Sequence, residues 1–137
     1  DMHGPLDLTD LDHFSFGDGP EMADHLLHLV LTGTKTATCS AVDSNEPVRL
    51  GSRSVVLDGA GRPRALIETL EVQRRRFCEV DEAFARDEGE GDRTLDWWRR
   101  AHAEFFSRNG GFSDDMELWC ERFRLVRILT DADARSL

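Results

Sequence analysis

The sequence predicts an α+β domain, with a small curved sheet or barrel flanked by helices. Three observations carry this. Met22, Leu26, Leu29 and Val30 recur at helical spacing and mark an early amphipathic helix. The β-rich stretches that follow are few and are mixed with helical ones. Glycine-containing turns of hairpin type separate several of them. A chain of 137 residues with 39% hydrophobic residues is long enough for one domain with its own core.

The elements follow in order. Residues 1–15 read as a lead-in, ordered at most in part, and 16–137 as the single domain. Asp18-Gly19-Pro20 opens a helix over 20–32, with Pro near its first position, Glu21 in its first turn and Gly33 as its C-cap. Residues 34–42 are small and β-branched, which suits a closely packed strand. Residues 43–52 read as a loop. Arg53–Asp58 and Pro63–Val72 form a hairpin about Gly59-Ala60-Gly61, and Phe77–Val80 adds a short strand. Asp81–Arg86 is a helical turn, and 88–92 must be a loop. A helix over 94–107 carries Leu95, Trp98, His102, Phe105 and Phe106 on one side, and Asn109-Gly110-Gly111 ends it. In the final strand, 115–129, Met116, Leu118 and Cys120 alternate. Phe123 and Leu125 then continue in the other register, which predicts a bulge near Glu121-Arg122.

Charge and cysteine content narrow the function. The net charge of −10 disfavours non-specific binding of long nucleic acids. Arg74-Arg75-Arg76 and Arg99-Arg100 are the candidate basic patch. Cys39, Cys78 and Cys120 are odd in number and far apart, so they read as reduced thiols, with no disulfide framework and no zinc site. No stretch approaches the ~20 apolar residues of a membrane span, and no export signal is read, so the expected location is cytoplasmic.

Three places concentrate polar groups. The first is Gly33-Thr34-Lys35-Thr36-Ala37-Thr38-Cys39-Ser40. Sixteen of the seventeen basic residues are arginine, and Lys35 is the one lysine. A desolvated lysine amine can lose its proton and activate a hydroxyl, which a guanidinium cannot. Lys35 and Thr38 meet only if the chain turns between Gly33 and Thr36, since a regular strand sends them to opposite faces. The second is Glu88-Gly89-Glu90-Gly91-Asp92, where three carboxylates crowd five residues. Such crowding calls for a cation, a metal or a raised pKa. No pattern demands a metal, and no cofactor is expected. The third is the helix bearing Trp97, Trp98 and His102, read as core or as a pocket wall that stacks a base.

The sequence resembles the ASCH domain family, in particular its bacterial stand-alone members. The matching stretches are Phe16-Gly17-Asp18, Gly33 to Thr38, Pro63-Arg64-Ala65-Leu66-Ile67-Glu68-Thr69, and Phe84 to Leu95 running on to Trp98, His102 and Phe105-Phe106. The resemblance implies a PUA-like fold, a small β-barrel flanked by helices with a cleft beside the first strand. It also implies a nucleoside- or RNA-related cleft. The family is proposed to bind RNA; one small member is an amidohydrolase of an acetylated cytidine, and another has been described as a ribonuclease. Carried over by residue, the amidohydrolase pattern makes Thr38 the nucleophile, Lys35 its base, and Glu88, in preference to Glu90, the acid. Gly33, Thr36, Asp92, Trp98 and His102 are then expected to bind substrate. The expected partner is a small nucleoside-like ligand, hydrolysed as an N4-acetylcytidine-like amide, or else single-stranded RNA.

Overall fold

In the computed structural model, residues 8–44 and 47–134 are described. Strand β1 (Asp12–Phe14) is followed by helix α1 (Pro20–Leu31) and strands β2 (Ala37–Ala41), β3 (Arg53–Leu57) and β4 (Pro63–Arg76). Helices α2 (Glu82–Glu88) and α3 (Leu95–Arg108), strand β5 (Glu117–Ile128) and the short α4 (Asp131–Ala134) complete the order. The α+β class and the helix-flanked, barrel-like sheet are as expected. One five-stranded sheet has the order β1-β3-β4-β5-β2, with β1 parallel to β3 and every other pairing antiparallel. The two edge strands, β1 and β2, line one common cavity, so the sheet curls into a half-barrel.

Local chemistry sets the element ends. Pro20 occupies the first turn of α1, where its missing N–H costs nothing. The helix ends as Thr34 N and Lys35 N both donate to Leu29 O at 2.9 Å. Thr36 N then donates to Asp87 O at 2.7 Å, so β2 starts only at Ala37, three residues later than expected. Asp81 caps α2 by accepting from Phe84 N, and Thr94 caps α3 by accepting from Trp97 N.

The structure corrects one expectation and sharpens two others. Phe77–Val80 is not a strand. Residues Phe77–Glu79 form a 3-10 turn, because the Glu79 carboxylate accepts from Arg76 N at 2.8 Å and Phe77 drops into the core. The lead-in is part of the fold where it is described: Leu8 is fully buried and β1 pairs with β3, while residues 1–7 lie outside the described set. The third concerns β5. Leu118 and Cys120 pack into a core with α2 and α3, whereas Phe123 pairs with a second core under α1. Both sets obey the same period of two, so the apparent switch is one strand burying both its faces. The bulge at that place lies on the partner strand, where Leu70 is left over between the pairs Thr69↔Phe123 and Glu71↔Arg122, and the extra residue of β5 itself is Val126, between the pairs Ile67↔Leu125 and Leu66↔Arg127.

Candidate functional site

The turn after α1 delivers Lys35 into the interior, with 1% of its surface exposed. Its ammonium has three hydrogens and four acceptors: Ala37 O at 2.9 Å, Glu88 Oε1 at 2.9 Å, Glu90 Oε2 at 2.6 Å and Glu88 O at 3.4 Å. Thr38 is not among them. The Glu88-Gly89-Glu90 corner folds both carboxylates onto the lysine because Gly89 ends α2 in the left-handed region, at φ 72°. A Cβ at Gly89 would collide with the Thr34 carbonyl, so only glycine lets the two segments touch.

The remaining bonds hold Glu88 in place. Its Oε2 accepts from the Trp98 indole N–H at 2.8 Å. His102 stacks on Trp98 with ring centroids 4.3 Å apart, and its Nε2 lies 3.6 Å from Glu88 Oε2. His102 Nδ1 is 2.8 Å from Trp98 O. A carbonyl only accepts, so Nδ1 carries the proton there.

The electrostatics follow from this packing. Burial alone would lower the Lys35 pKa, but Glu88 and Glu90 overcome it and hold the amine above its ordinary value. Burial alone would raise the Glu88 pKa, but the Lys35 charge overcomes it and brings the carboxyl down to about 2. Glu90 goes the other way: burial and the neighbouring Glu88 charge raise it in spite of Lys35. The expected role of Lys35 as a neutral base is therefore corrected. It is a hydrogen-bonded ammonium, and one lysine is shared by two carboxyls whose pKa values are driven apart.

A pH prediction follows. Glu88 ionises in the fold well below its ordinary value of 4.5, so its stabilisation is complete above that pH. It is lost as the pH falls from 4.5 towards about 2. Glu90, being raised, contributes in the opposite sense and offsets part of this. Melting temperature measured against pH should fall more steeply below pH 4.5 in the wild type than in Glu88→Gln. Parallel curves would contradict the pairing.

Above this cluster opens a cavity of about 850 Å³ between the two edge strands, the loop at Pro47–Arg49 and the end of α3. Thr38, Cys39, Glu121, Thr69, Phe16 and Arg49 are among its lining residues. Phe16 links the two levels, since it lines the cavity and its ring centroid is 5.3 Å from Lys35 Nζ. Strand register sorts the hydroxyls: Thr38 is the cross-strand partner of Glu121, and the next residue, Cys39, that of Cys120. The Cys39 thiol is pushed well up by burial and then by the Glu88 charge, so it stays protonated and is a poor nucleophile.

The other expected substrate contacts lie elsewhere. Gly33 is an exposed turn residue at φ 82°. Thr36 is exposed, and its hydroxyl donates to Asp87 O. Asp92 is exposed and accepts from Thr94 N and Oγ1. Trp98 is core, against Phe77 at 5.0 Å, and acts on the site only through Glu88. None of these residues, nor His102, lines the cavity. Sequence reasoning missed Glu121, Thr69, Phe16 and Arg49. Glu121 carried a signal: it is an acid in register with Phe123 and Leu125, which are apolar.

Cys39, Glu88 and His102 each present a metal-ligand atom, all within 4.8 Å of one another. Both oxygens of Glu88 already accept hydrogen bonds, from Lys35 and Trp98. A cation there would compete with an ammonium for the same carboxylate, so this donor set fits a divalent ion poorly. Among the described residues no helix is long and apolar enough to cross a membrane.

Comparisons with known proteins agree with this architecture. The structure resembles that of a protein from Enterococcus faecalis V583, with 36% identity, a TM-score of 0.83, and coverage of 93% of this chain and 83% of that one. It also resembles an ASCH domain from Lactobacillus crispatus JV V101, with 33% identity, a TM-score of 0.77, and coverage of 84% and 80%. The ASCH protein of Zymomonas mobilis shares the fold at 9% identity, with a TM-score of 0.55 and coverage of 90% and 73%. No curated protein matches the chain. The ASCH domain family itself matches residues 12–127, nearly the whole described chain, and the helix-flanked half-barrel is PUA-like. The chain belongs to the ASCH domain family.

Proposed function

We propose that this protein hydrolyses the amide of an acylated nucleoside, of which N4-acetylcytidine is the simplest example, within the cavity above Lys35. The observation that carries the reading is that Thr38 lines the cavity on β2, the strand that leads directly out of the buried Lys35–Glu88–Glu90 cluster. Clusters of ionisable groups that burial and neighbours perturb this strongly concentrate at functional sites. Thr38 Oγ1 attacks the acyl carbon. The Lys35 ammonium, with its N–H groups committed inside the cluster, anchors the start of β2 through Ala37 O and so positions Thr38. Glu88, locked by Lys35 and Trp98, holds that ammonium in place. Glu90, with its raised pKa, is the carboxyl of the cluster most ready to carry a proton.

Binding of an RNA strand fits the surface less well. Arg74 pairs with Glu117, Arg75 with Asp81, Arg76 with Glu79, and Arg100 with Asp96. Arg99 donates instead to Cys78 O, so four of the five arginines of the candidate basic patch are already paired with acids, and the cavity volume lies in the range that takes a small-molecule ligand.

The test is incubation of the protein with N4-acetylcytidine and chromatography of the products. Equal amounts of cytidine and acetate are expected. An absence of product, with short RNAs instead binding in a steeply salt-dependent way, would overturn the reading in favour of RNA recognition.

A further inference from the structure

Glu121 stands apart from the other acids. Among the described residues, the acids that are not exposed are Asp58, Glu68, Asp87, Glu88, Glu90, Asp133 and Glu121. The first six are all ion-paired with lysine or arginine. Glu121 has no ion pair among the described residues. Its Oε1 accepts one hydrogen bond, from Thr69 Oγ1 at 3.0 Å, and the residue lines the cavity. A half-buried carboxyl without an ion-pair partner is held at a cost, which a functional role accounts for. It is also the cross-strand partner of Thr38, and directly opposed side chains of an antiparallel pair sit about 4.5–5.5 Å apart at Cβ. Lys35, a hydrogen-bonded ammonium, has no lone pair with which to take a proton from Thr38.

We propose that Glu121 is the general base that activates Thr38. This rests on the hydrolase reading above. In the first step the Thr38 hydroxyl proton passes to the free Glu121 Oε2 as Thr38 Oγ1 bonds to the acyl carbon. The tetrahedral intermediate then collapses, the C–N bond breaks, and the same proton passes from Glu121 to the departing nitrogen. Glu121 next takes a proton from water, whose oxygen attacks the acyl-Thr38 ester. The carboxylic acid leaves and the proton returns to Thr38. One water is consumed, and one amine and one acid are formed. Thr69, by occupying Oε1, aims Oε2 at the reacting hydroxyl and acts as a positioning residue.

The charges of Lys35 and Glu88 act on this carboxyl, Thr69 donates to it from β4, and Asp12, His13 and Arg49 line the same cavity. Burial raises the Glu121 pKa. The acid limb of kcat/KM should therefore lie above the ordinary glutamate value of 4.5.

The experiment has two arms. In the first, wild type, Glu121→Gln and Glu121→Asp are assayed on N4-acetylcytidine, with cytidine affinity measured alongside. Glu121→Gln should lose about 10²–10⁴-fold in kcat and its acid limb, with cytidine affinity unchanged. Glu121→Asp should recover part of the rate. A Glu121→Gln rate within about threefold of wild type would overturn the assignment and leave the hydrolase reading standing. In the second arm, Thr38→Cys is alkylated with iodoacetamide across pH, with wild type treated in parallel to report the native cysteines. A neighbouring carboxylate raises the pKa of the introduced thiol, so adding Glu121→Gln should lower the alkylation midpoint by about one pH unit. An unmoved midpoint overturns the assignment whichever nucleoside is the substrate. A wild type silent towards acylated nucleosides overturns the hydrolase reading, and the role of base with it.

Discussion

Lys35→Ala is expected to destabilise the fold by about 3–5 kcal/mol, because it leaves the Glu88 and Glu90 carboxylates buried with no cation between them. For a chain of this size that corresponds to a fall in melting temperature of about 10–20 °C. The physics is asymmetric. The intact cluster contributes little net stability, since the Coulomb attraction mostly offsets the desolvation of three charges. Removing one partner exposes the whole desolvation cost of the others. Two controls separate this from a simple cavity effect. The triple variant Lys35→Met, Glu88→Gln, Glu90→Gln keeps the volume without charge and should recover most of the loss. The penalty of Lys35→Ala should also shrink in acid, where the orphaned carboxyls can take protons. Thermal unfolding of wild type and both variants at neutral and acid pH checks this. A Lys35→Ala melting temperature equal to wild type would contradict the buried cluster.

Thr38→Val is expected to reduce the turnover of an acylated nucleoside by at least about 10³-fold while leaving the fold intact. Valine matches threonine in shape and suits a strand, and Thr38 has no hydrogen bond to Lys35 that the change would break. The loss should fall on kcat, and cytidine should bind as before. Thr38→Ser, which keeps the hydroxyl, should retain measurable activity. Steady-state rates and cytidine titration on the three proteins decide the matter. Unchanged turnover in Thr38→Val would remove Thr38 from the chemistry.

Much of this arrangement is legible in the residues. The α1 stripe, the hairpin about Gly59–Gly61 and the α3 face follow from periodicity and turn chemistry, because each is a local preference that the tertiary structure supports. Lys35 stands out by composition alone, as a lone lysine among arginines, and the crowded acids at 88–92 call for a cation. The two features are halves of one cluster. The charge state of the lysine is not legible, since it depends on two carboxylates 53 and 55 residues away in sequence. The register of β5 misleads for a related reason. Burial of both faces of a strand by different helices gives the same apolar pattern as a bulge, and only the tertiary structure separates them. Asp92 and Thr36 are drawn towards the site by sequence proximity, whereas the Asp92 carboxylate is taken up by its local bond with Thr94 and the Thr36 hydroxyl by Asp87 O. Glu121 escapes notice because a single acid in a strand reads as solvent-facing until the curl of the sheet puts it inside.

The measurement that bears most directly on the central claim is a rapid-quench reaction with N4-acetylcytidine, followed by mass spectrometry of the digested protein. The account predicts an acetyl group on the Thr38 hydroxyl, formed together with a burst of free cytidine in proportion to the enzyme. Release of cytidine with Thr38 unmodified, or a folded protein that releases none, would contradict it.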